Sequence, residues 1–588
     1  MKLTSQTLRS AFANERSTRT RNIPPVTAER IVLAALVFAA LGMTAASARQ
    51  RTAVRSTMPF VDVSDESGVR FTHVNGAQGQ LLLPEVIGAG GALFDFDNDG
   101  DFDLLLVQGG IADGVAGMET TRLFRNDTPG PGRPLRFVDV TERTGAGVRG
   151  IGMGLATGDI DNDGYVDLYI TALGPNHLLR NNRNGTFSDI TARSHSDDPR
   201  WGTSATFFDY DNDGRLDLFV TNYVRFAPDM KRACYSAASA RDYCNPAVYD
   251  PVTSSLFHNE GNGVFSDVSA RAGITGAAAR GLGVIAADVD GDGWVDIYVA
   301  NDGDPNQLWI NKRGSARFED EALIRGVALD RMGRTQGSMG IDLADVDGDG
   351  DEDLFITNLD NEGNTFYRNQ GRGIFEDRTS EAGLFRLGLT GFGARFIDYD
   401  NDGWLDLALV NGAVRQLTSQ IRAGDAIPLR QPSLLFHNER GTRFSDATAA
   451  GGDVFAALQV GRGLLAGDLD NDGDIDLVIT NNGGRARVLR NDAGNGHWLG
   501  IRAIDHGRDA LQARVLLARG SGGPVLRRVH TDGSYCSAGD PRVVFGLGED
   551  RSPQRVRVEW PGGQSEEFAG LAADRYWVLE RGKPPRAM

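Results

Sequence analysis

Aspartates occupy positions 1, 3, 5 and 9 of a nine-residue pattern, Asp-x-Asp-x-Asp-Gly-x-x-Asp, that recurs seven times along the chain. The copies carry Asp95, Asp97, Asp99 and Asp103; Asp159, Asp161, Asp163 and Asp167; Asp209, Asp211, Asp213 and Asp217; Asp288, Asp290, Asp292 and Asp296; Asp345, Asp347, Asp349 and Asp353; Asp398, Asp400, Asp402 and Asp406; and Asp468, Asp470, Asp472 and Asp476. Four carboxylates within nine residues repel one another unless a cation that takes hard oxygen ligands lies between them. Calcium is the expected ion, one to a loop and about seven in all. Position 7 would then contribute only its backbone carbonyl, and its occupants, Asp101, Tyr165, Arg215, Trp294, Asp351, Trp404 and Asp474, share no side-chain chemistry. Position 4 is always Asn or Gly, as expected where the backbone needs a positive φ.

The elements that hold these loops are strands. An EF-hand would place a Glu at position 12 and continue into a helix, whereas position 12 here is Leu106, Ile170, Val220, Val299, Ile356, Leu409 and Ile479. Each loop runs into a short apolar stretch, such as Leu104 to Val107, which reads as a strand buried on both faces. Two further signals keep phase with the loops. A Phe-x-Asp unit starts at Phe60, Phe137, Phe187, Phe265, Phe318, Phe375 and Phe444, and a Leu-rich stretch ends at Asn126, Asn181, Asn259, Asn311, Asn369, Asn438 and Asn491. Each repeat is therefore one four-stranded unit, and seven units closing radially predict an all-β fold built on a seven-bladed propeller. The chain enters on Phe-x-Asp at Phe60 and leaves its last repeat at Asn491 without another, so the first strand is expected to complete the last blade. The propeller is assigned to residues 59–492 and a small antiparallel β module to 493–583, where apolar and polar residues alternate between Gly and Pro turns. Trp498, Trp560 and Trp577 are expected in the core of that module.

Twenty-eight of the 79 acidic residues are the aspartates at positions 1, 3, 5 and 9 of the loops, so the formal charge of −18 belongs largely to them. That balance disfavours a nucleic-acid partner. Residues 1–48 read as a targeting segment: basic residues including Arg9, Arg16 and Arg30, an apolar run from Ile31 to Met43, then Ala46-Ser47-Ala48 as a small-residue cleavage site. An uncleaved anchor is the alternative, and only that reading brings a membrane contact. Export to the periplasm, cell surface or medium suits loops that millimolar extracellular calcium could fill. It also suits a Cys234–Cys244 disulfide stapling a Tyr-rich insertion, with two unpaired thiols as the alternative. Cys536 stands alone and reads as a small buried residue.

The repeats, Gly-x-Ala-x-x-Asp-x-Asp-x-Asp-Gly-x-x-Asp-Leu with Leu-x-x-Asn-x-Gly-x-Phe-x-Asp, resemble the FG-GAP or VCBS repeats of integrin α-subunit propellers. The C-terminal stretch, with His497-Trp498-Leu499-Gly500-Ile501, Gly533-Ser534-Tyr535, Asp540-Pro541-Arg542, Phe545-Gly546-Leu547-Gly548 and Val558-Glu559-Trp560-Pro561-Gly562-Gly563, is similar to the ASPIC/UnbV domain. A propeller followed by that domain is the arrangement of the cartilage acidic protein family, and the resemblance spans roughly residues 59 to 582. Tyr243-Cys244-Asn245-Pro246 is similar to the cysteine-bearing insertion of that family, which favours the disulfide. Leu511-Gln512-Ala513-Arg514 and Cys536 depart from the usual pattern of the small domain. The resemblance implies an extracellular calcium-binding protein with adhesive or matrix associations and an unidentified protein or glycan ligand. The alternative is a calcium-dependent polysaccharide lyase or hydrolase, which needs a base beside a carboxylate-stabilising Arg or metal. His258 and His437 share one repeat slot, while His73, His177, His195, His497, His506 and His530 are scattered, so no catalytic set is assigned.

Overall fold

The structure, a computed structural model, describes residues 59–110, 120–227, 229–230, 232–236, 239–494, 496–519 and 523–588. The expected targeting segment, 1–48, lies outside the described residues. Among the described residues no helix is long and apolar enough to cross a membrane.

Each aspartate loop joins the first two strands of an antiparallel four-stranded sheet. In the first sheet Gly91–Phe94 pairs with Asp103–Leu106, then Arg122–Asn126, then Phe137–Asp139, with Phe94, the residue before position 1 of the loop, opposite Asp103 at position 9. Seven sheets follow this order. The seventh, Gly461–Gly467, Asp476–Asn481 and Arg487–Asn491, takes its fourth strand from Phe60–Asp62, in register Phe60 opposite Asn491. The first strands of successive sheets pack against one another, and Gly461–Gly467 packs back onto Gly91–Phe94, which closes the ring. The molecule is a β-propeller. The second strands, into which the loops run, are buried along their whole length, as their apolar sequences require.

The C-terminal module has two sheets. One is Val525–Arg528, Arg514–Leu517, Gln554–Glu559 and Ser565–Leu571, all antiparallel; the other is built around His497–Asp505. The expectation of a wholly antiparallel module fails at one place, because His497–Asp505 runs parallel to Tyr576–Glu580. One edge of His497–Asp505 is taken by Val543–Gly548, and the chain returns to its other edge only after crossing the second sheet. Trp560 is buried, Trp498 is buried against Gly473 of the seventh loop, and Trp577 is partly buried with its Nε1 donating to the Ala572 carbonyl.

Ring and module share one core, in which Tyr169, Phe207 and Leu218 pack with Leu499, Val515 and Trp560. Residues 529–542 of the module enter the ring. Ala538 exchanges backbone hydrogen bonds with Gly91 and Leu93, and Ser534 does so with Ile341. Asp532 Oδ2 accepts from Thr206 Oγ1 and the Ala286 N–H, and Leu464 N–H donates to Ser534 Oγ. Arg395 donates to the carbonyls of Thr531 and Asp532, while Thr531 Oγ1 donates to Thr157 O, so the segment touches the first strand of all seven sheets. Gly90 and Gly154 permit this approach: a Cβ at Gly90 would lie 1.8 Å from the Cys536 carbonyl oxygen, and one at Gly154 2.8 Å from Cys536 Cα. On the side away from the aspartate loops, the insertion after the third sheet's second strand carries the Cys234–Cys244 disulfide. Tyr243 and Cys244 of that insertion join Tyr535 and Cys536 in one buried cluster.

Candidate metal centre

Backbone N–H groups aim the carboxylates of each loop. The position-1 aspartate follows the first strand, and in six loops its two oxygens accept from the N–H of positions 5 and 6, as when Asp159 accepts from Asp163 (3.1 Å) and Gly164 (2.7 Å). In the fifth loop Asp345 instead accepts from Gly348 and Gly350. The position-5 side chain accepts from the N–H of position 7 in all seven. The position-9 aspartate is fully buried, and its Oδ1 accepts from the N–H of the repeat asparagine, Asn126 to Asp103 and Asn181 to Asp167 among them.

What remains in every loop is a buried carboxylate oxygen with no hydrogen-bond partner, and the second loop has a further one, Asp163 Oδ2. The oxygen found in every loop is Oδ1 of position 3 in Asp97, Asp161, Asp211, Asp290, Asp400 and Asp470, and Oδ2 of Asp353 in the fifth loop, where Asp347 Oδ1 accepts from Asp349 N–H. Unpartnered buried carboxylate oxygens are costly, and a cation would satisfy them. Burial pushes the position-1 carboxyls Asp95, Asp159, Asp209, Asp288 and Asp345 up to about 6, and Asp468 to about 7. Burial likewise raises Asp353 to about 8. These are groups that ionise readily only beside positive charge. Asp95–Asp97–Asp99, Asp159–Asp161–Asp167 and Asp209–Asp211–Asp213 are among the clusters with ligand atoms close enough to share one ion, and the acidic clusters could hold metal ions.

Position-7 side chains follow no common course: Arg215 pairs its Nη2 with Asp213 of its own loop while its Nε donates to Asn259 O at 2.8 Å, Trp404 lies 5.0 Å from the Arg519 guanidinium, and Trp294 covers Gly314. His258 and His437, from a slot with no assigned role, stand at the loops. Their Nδ1 atoms lie 3.1 Å from Asp217 and Asp406, and that contact with Asp406 raises His437 to about 9. Arg180 and Arg368 fill the same slot beside Asp161 and Asp347. The neighbour of a repeat asparagine thus faces the loop, which its phase with the aspartates could have indicated.

Two kinds of asparagine carry more than sequence reasoning gave them. The repeat asparagines tie neighbouring blades: Asn181 Nδ2 donates to Val166 O of its own loop and Phe96 O of the previous one, and Asn259 to Leu216 O and Ile160 O. Position-4 asparagines do adopt positive φ, 60° at Asn98 and 56° at Asn471. Their side chains also reach the next loop: Asn98 donates to Gly164 O, Asn162 to Gly214 O, Asn212 to Gly293 O, Asn401 to Gly473 O and Asn471 to Asp101 Oδ1. Gly291 and Gly348 occupy position 4 in the fourth and fifth loops and have no amide to offer. The acceptors they leave, Gly350 O and Gly403 O, instead receive Arg514 Nη2 at 2.8 Å and Arg519 Nη2 at 2.7 Å from the C-terminal module. The module also donates from Tyr576 Oη to Asp468 Oδ2 at 2.8 Å and from Arg542 to Asp468 O at 2.7 Å.

Fold and loops define a propeller of FG-GAP-like repeats capped by a β module. The FG-GAP-like repeat model matches residues 95–170, 159–220, 247–299, 288–356 and 345–409, and the ASPIC and UnbV model matches 504–586. Cartilage acidic protein 1 of Mus musculus and of Homo sapiens are each 26% identical over 332 residues, which cover 55% of this chain and 40% of theirs. The match thus spans about two fifths of those relatives' length. The chain belongs to the cartilage acidic protein-like family, FG-GAP repeats followed by an ASPIC/UnbV domain. Among solved structures, the BP39L lectin of Burkholderia pseudomallei is similar at TM-score 0.42 and 10% identity, covering 70% of this chain and 98% of the lectin. The rhamnogalacturonan lyase YesW is similar at TM-score 0.35 and 13% identity, covering 74% and 76%. Likenesses this distant carry nothing about ligand or chemistry.

Proposed function

We propose that this chain is an exported calcium-binding propeller that acts as an adhesion or ligand-binding module, with calcium holding its aspartate loops in shape. The observation that carries the calcium assignment is that every loop holds at least one unpartnered buried carboxylate oxygen, set among further aspartate side chains. Hard oxygen donors in this number suit calcium better than zinc or copper, which favour nitrogen and sulfur. Positions 1, 3, 5 and 9 would hold the ion through side chains, and the ion would neutralise carboxylates that burial disfavours. The Cys234–Cys244 disulfide supports an exported location.

With the loops engaged in holding ions, and residues 529–542 occupying the ring's interior, ligand contacts fall to other loops and to the disulfide-stapled insertion. The test is binding of the chain to an array of glycans and matrix proteins, with calcium and with chelator, beside elemental analysis of the purified protein. Calcium-dependent retention on one class of ligand supports the reading. Depletion of an arrayed glycan would replace it with a polysaccharide lyase or hydrolase, and a calcium-free protein would remove the metal assignment.

A further inference from the structure

A cavity of about 120 Å³ lies between the fifth to seventh sheets and the C-terminal module, and its wall is unusually charged for an interior. Four guanidinium groups line it, those of Arg395, Arg527, Arg528 and Arg542, and each residue is more than nine-tenths buried. Three are ion-paired: Arg528 Nε lies 2.9 Å from Glu352, Arg542 Nη2 2.6 Å from Asp540, and Arg395 Nη1 3.5 Å from Asp342. Arg527 forms no ion pair among the described residues. Its Nη1 donates to Leu526 O and its Nη2 to Gly403 O at 3.5 Å, and its face lies 5.6 Å from the Phe545 ring. Arg527 Nε, Arg395 Nε and Arg528 Nη2 are buried donors without a hydrogen-bond partner.

The two remaining carboxylates on the wall, Asp345 and Asp398, are position-1 residues of the fifth and sixth loops. Arg528 has a second carboxylate, Asp532 Oδ1, at 3.8 Å, whereas Arg527 has none within ion-pair distance among the described residues, and if Asp345 and Asp398 turn their oxygens to ions in those loops they leave the Arg527 donors without a direct anionic partner. Arg462 shows how the same fold treats a buried guanidinium that needs no counter-ion: its donors reach the carbonyls of Val86, Gly412, Ala413 and Gly461, and its face covers the Phe392 ring at 3.8 Å. Arg527 has no such set of carbonyls. Water has room here, since one molecule needs roughly 10–15 Å³, but water satisfies a donor without offsetting its charge.

We propose that this cavity binds one monovalent anion of about chloride's size, with Arg527 Nε as its principal donor and Arg395 and Arg528 contributing the other unpartnered N–H groups. The inference rests on the assignment of cations to the fifth and sixth loops. It is tested on crystals of the full chain grown in calcium, with calcium content measured on the same preparation, transferred to bromide and measured at the bromine edge. The expected result is an anomalous peak within hydrogen-bonding reach of Arg527 Nε that is lost in Arg527→Met. In solution the melting midpoint should be higher in chloride than in gluconate at equal ionic strength and calcium, and Arg527→Met should abolish that difference while Arg519→Ala, outside the cavity wall, keeps it. If Arg527→Met does not fold, the wild-type density decides alone. Calcium-loaded crystals with no bromide in the cavity overturn the anion site and leave the loop assignment standing. Loops measured as calcium-free overturn the loop assignment, and the anion site with it.

Discussion

Five aspartate loops are tied to the next loop by their own position-4 asparagine, whereas the fourth and fifth, with Gly291 and Gly348, are tied by arginines of the C-terminal module. Both arrangements keep the positive φ, 60° at Asn98 against 73° at Gly291 and 77° at Gly348, so the loop conformation does not depend on which residue is present. What changes is the source of the donor. Where the ring supplies it, one blade is fixed to the next by residues of the repeat; where the ring does not, the junction is completed from outside. The difference teaches that the module is part of the ring's construction rather than an appendage beside it: it stands in for the asparagine at two junctions, and elsewhere it joins it, with Arg508 donating to Asn162 Oδ1 and Gly214 O and Arg542 to Asn471 Oδ1.

The comparison can be broken most forcefully by removing what both arrangements share. Chelation should lower the melting temperature substantially, since each ion bound only to the folded state, at a hundred times its Kd, adds about 2.7 kcal/mol. An unchanged calorimetric melt in chelator would remove the cation from both kinds of loop. Next in size, Asp470→Ala should lose one equivalent of bound calcium by elemental analysis and destabilise the fold. Trp294→Ala should keep the full complement, because that side chain leaves the carboxylates.

A sharper test exchanges the donors. Arg519→Ala should cost about 1–2 kcal/mol in denaturant unfolding, discounted from the range for charged hydrogen bonds because Arg519 is partly exposed. Gly348→Asn should recover about 1 kcal/mol in that background by restoring the amide, and should be near neutral in the wild type. Equal effects of Gly348→Asn in the two backgrounds would show that the arginine and the asparagine are not interchangeable. The smallest expected effect concerns His73, whose Nδ1 accepts from Gly483 N–H and whose burial holds it down to about 3. A depressed histidine contributes stability that is present above its unfolded value of 6.5 and is lost as pH falls toward 3. His73→Gln should therefore show a shallower decline of melting temperature across that window than the wild type.

The loops, the phase of the strands and the latch at Phe60 were legible because each depends on spacing within a few residues or on repetition of one pattern. Contacts between repeats were not. Asn471 and Asp101 lie 370 residues apart, and nothing near either one in sequence specifies the other. The position-4 asparagine could be read for its backbone, since φ is local, but not for the amide that reaches another loop. The same limit explains the small module: alternation predicted strands, yet the parallel pairing of His497–Asp505 and the entry of residues 529–542 into the ring are set by distant partners.

The strand that closes the ring has a consequence for how the chain comes to be folded. Phe60–Asp62 is synthesised ahead of the other ring strands and must wait for Leu489–Asn491 before it has a neighbour. Until then the nascent protein offers two open edges, and such edges invite pairing with other chains. Loop closure over such a span makes this a late event and places the protein among slow, non-local folders. A refolding reaction should thus gain blade-like β structure before it gains resistance to proteolysis near the N-terminus.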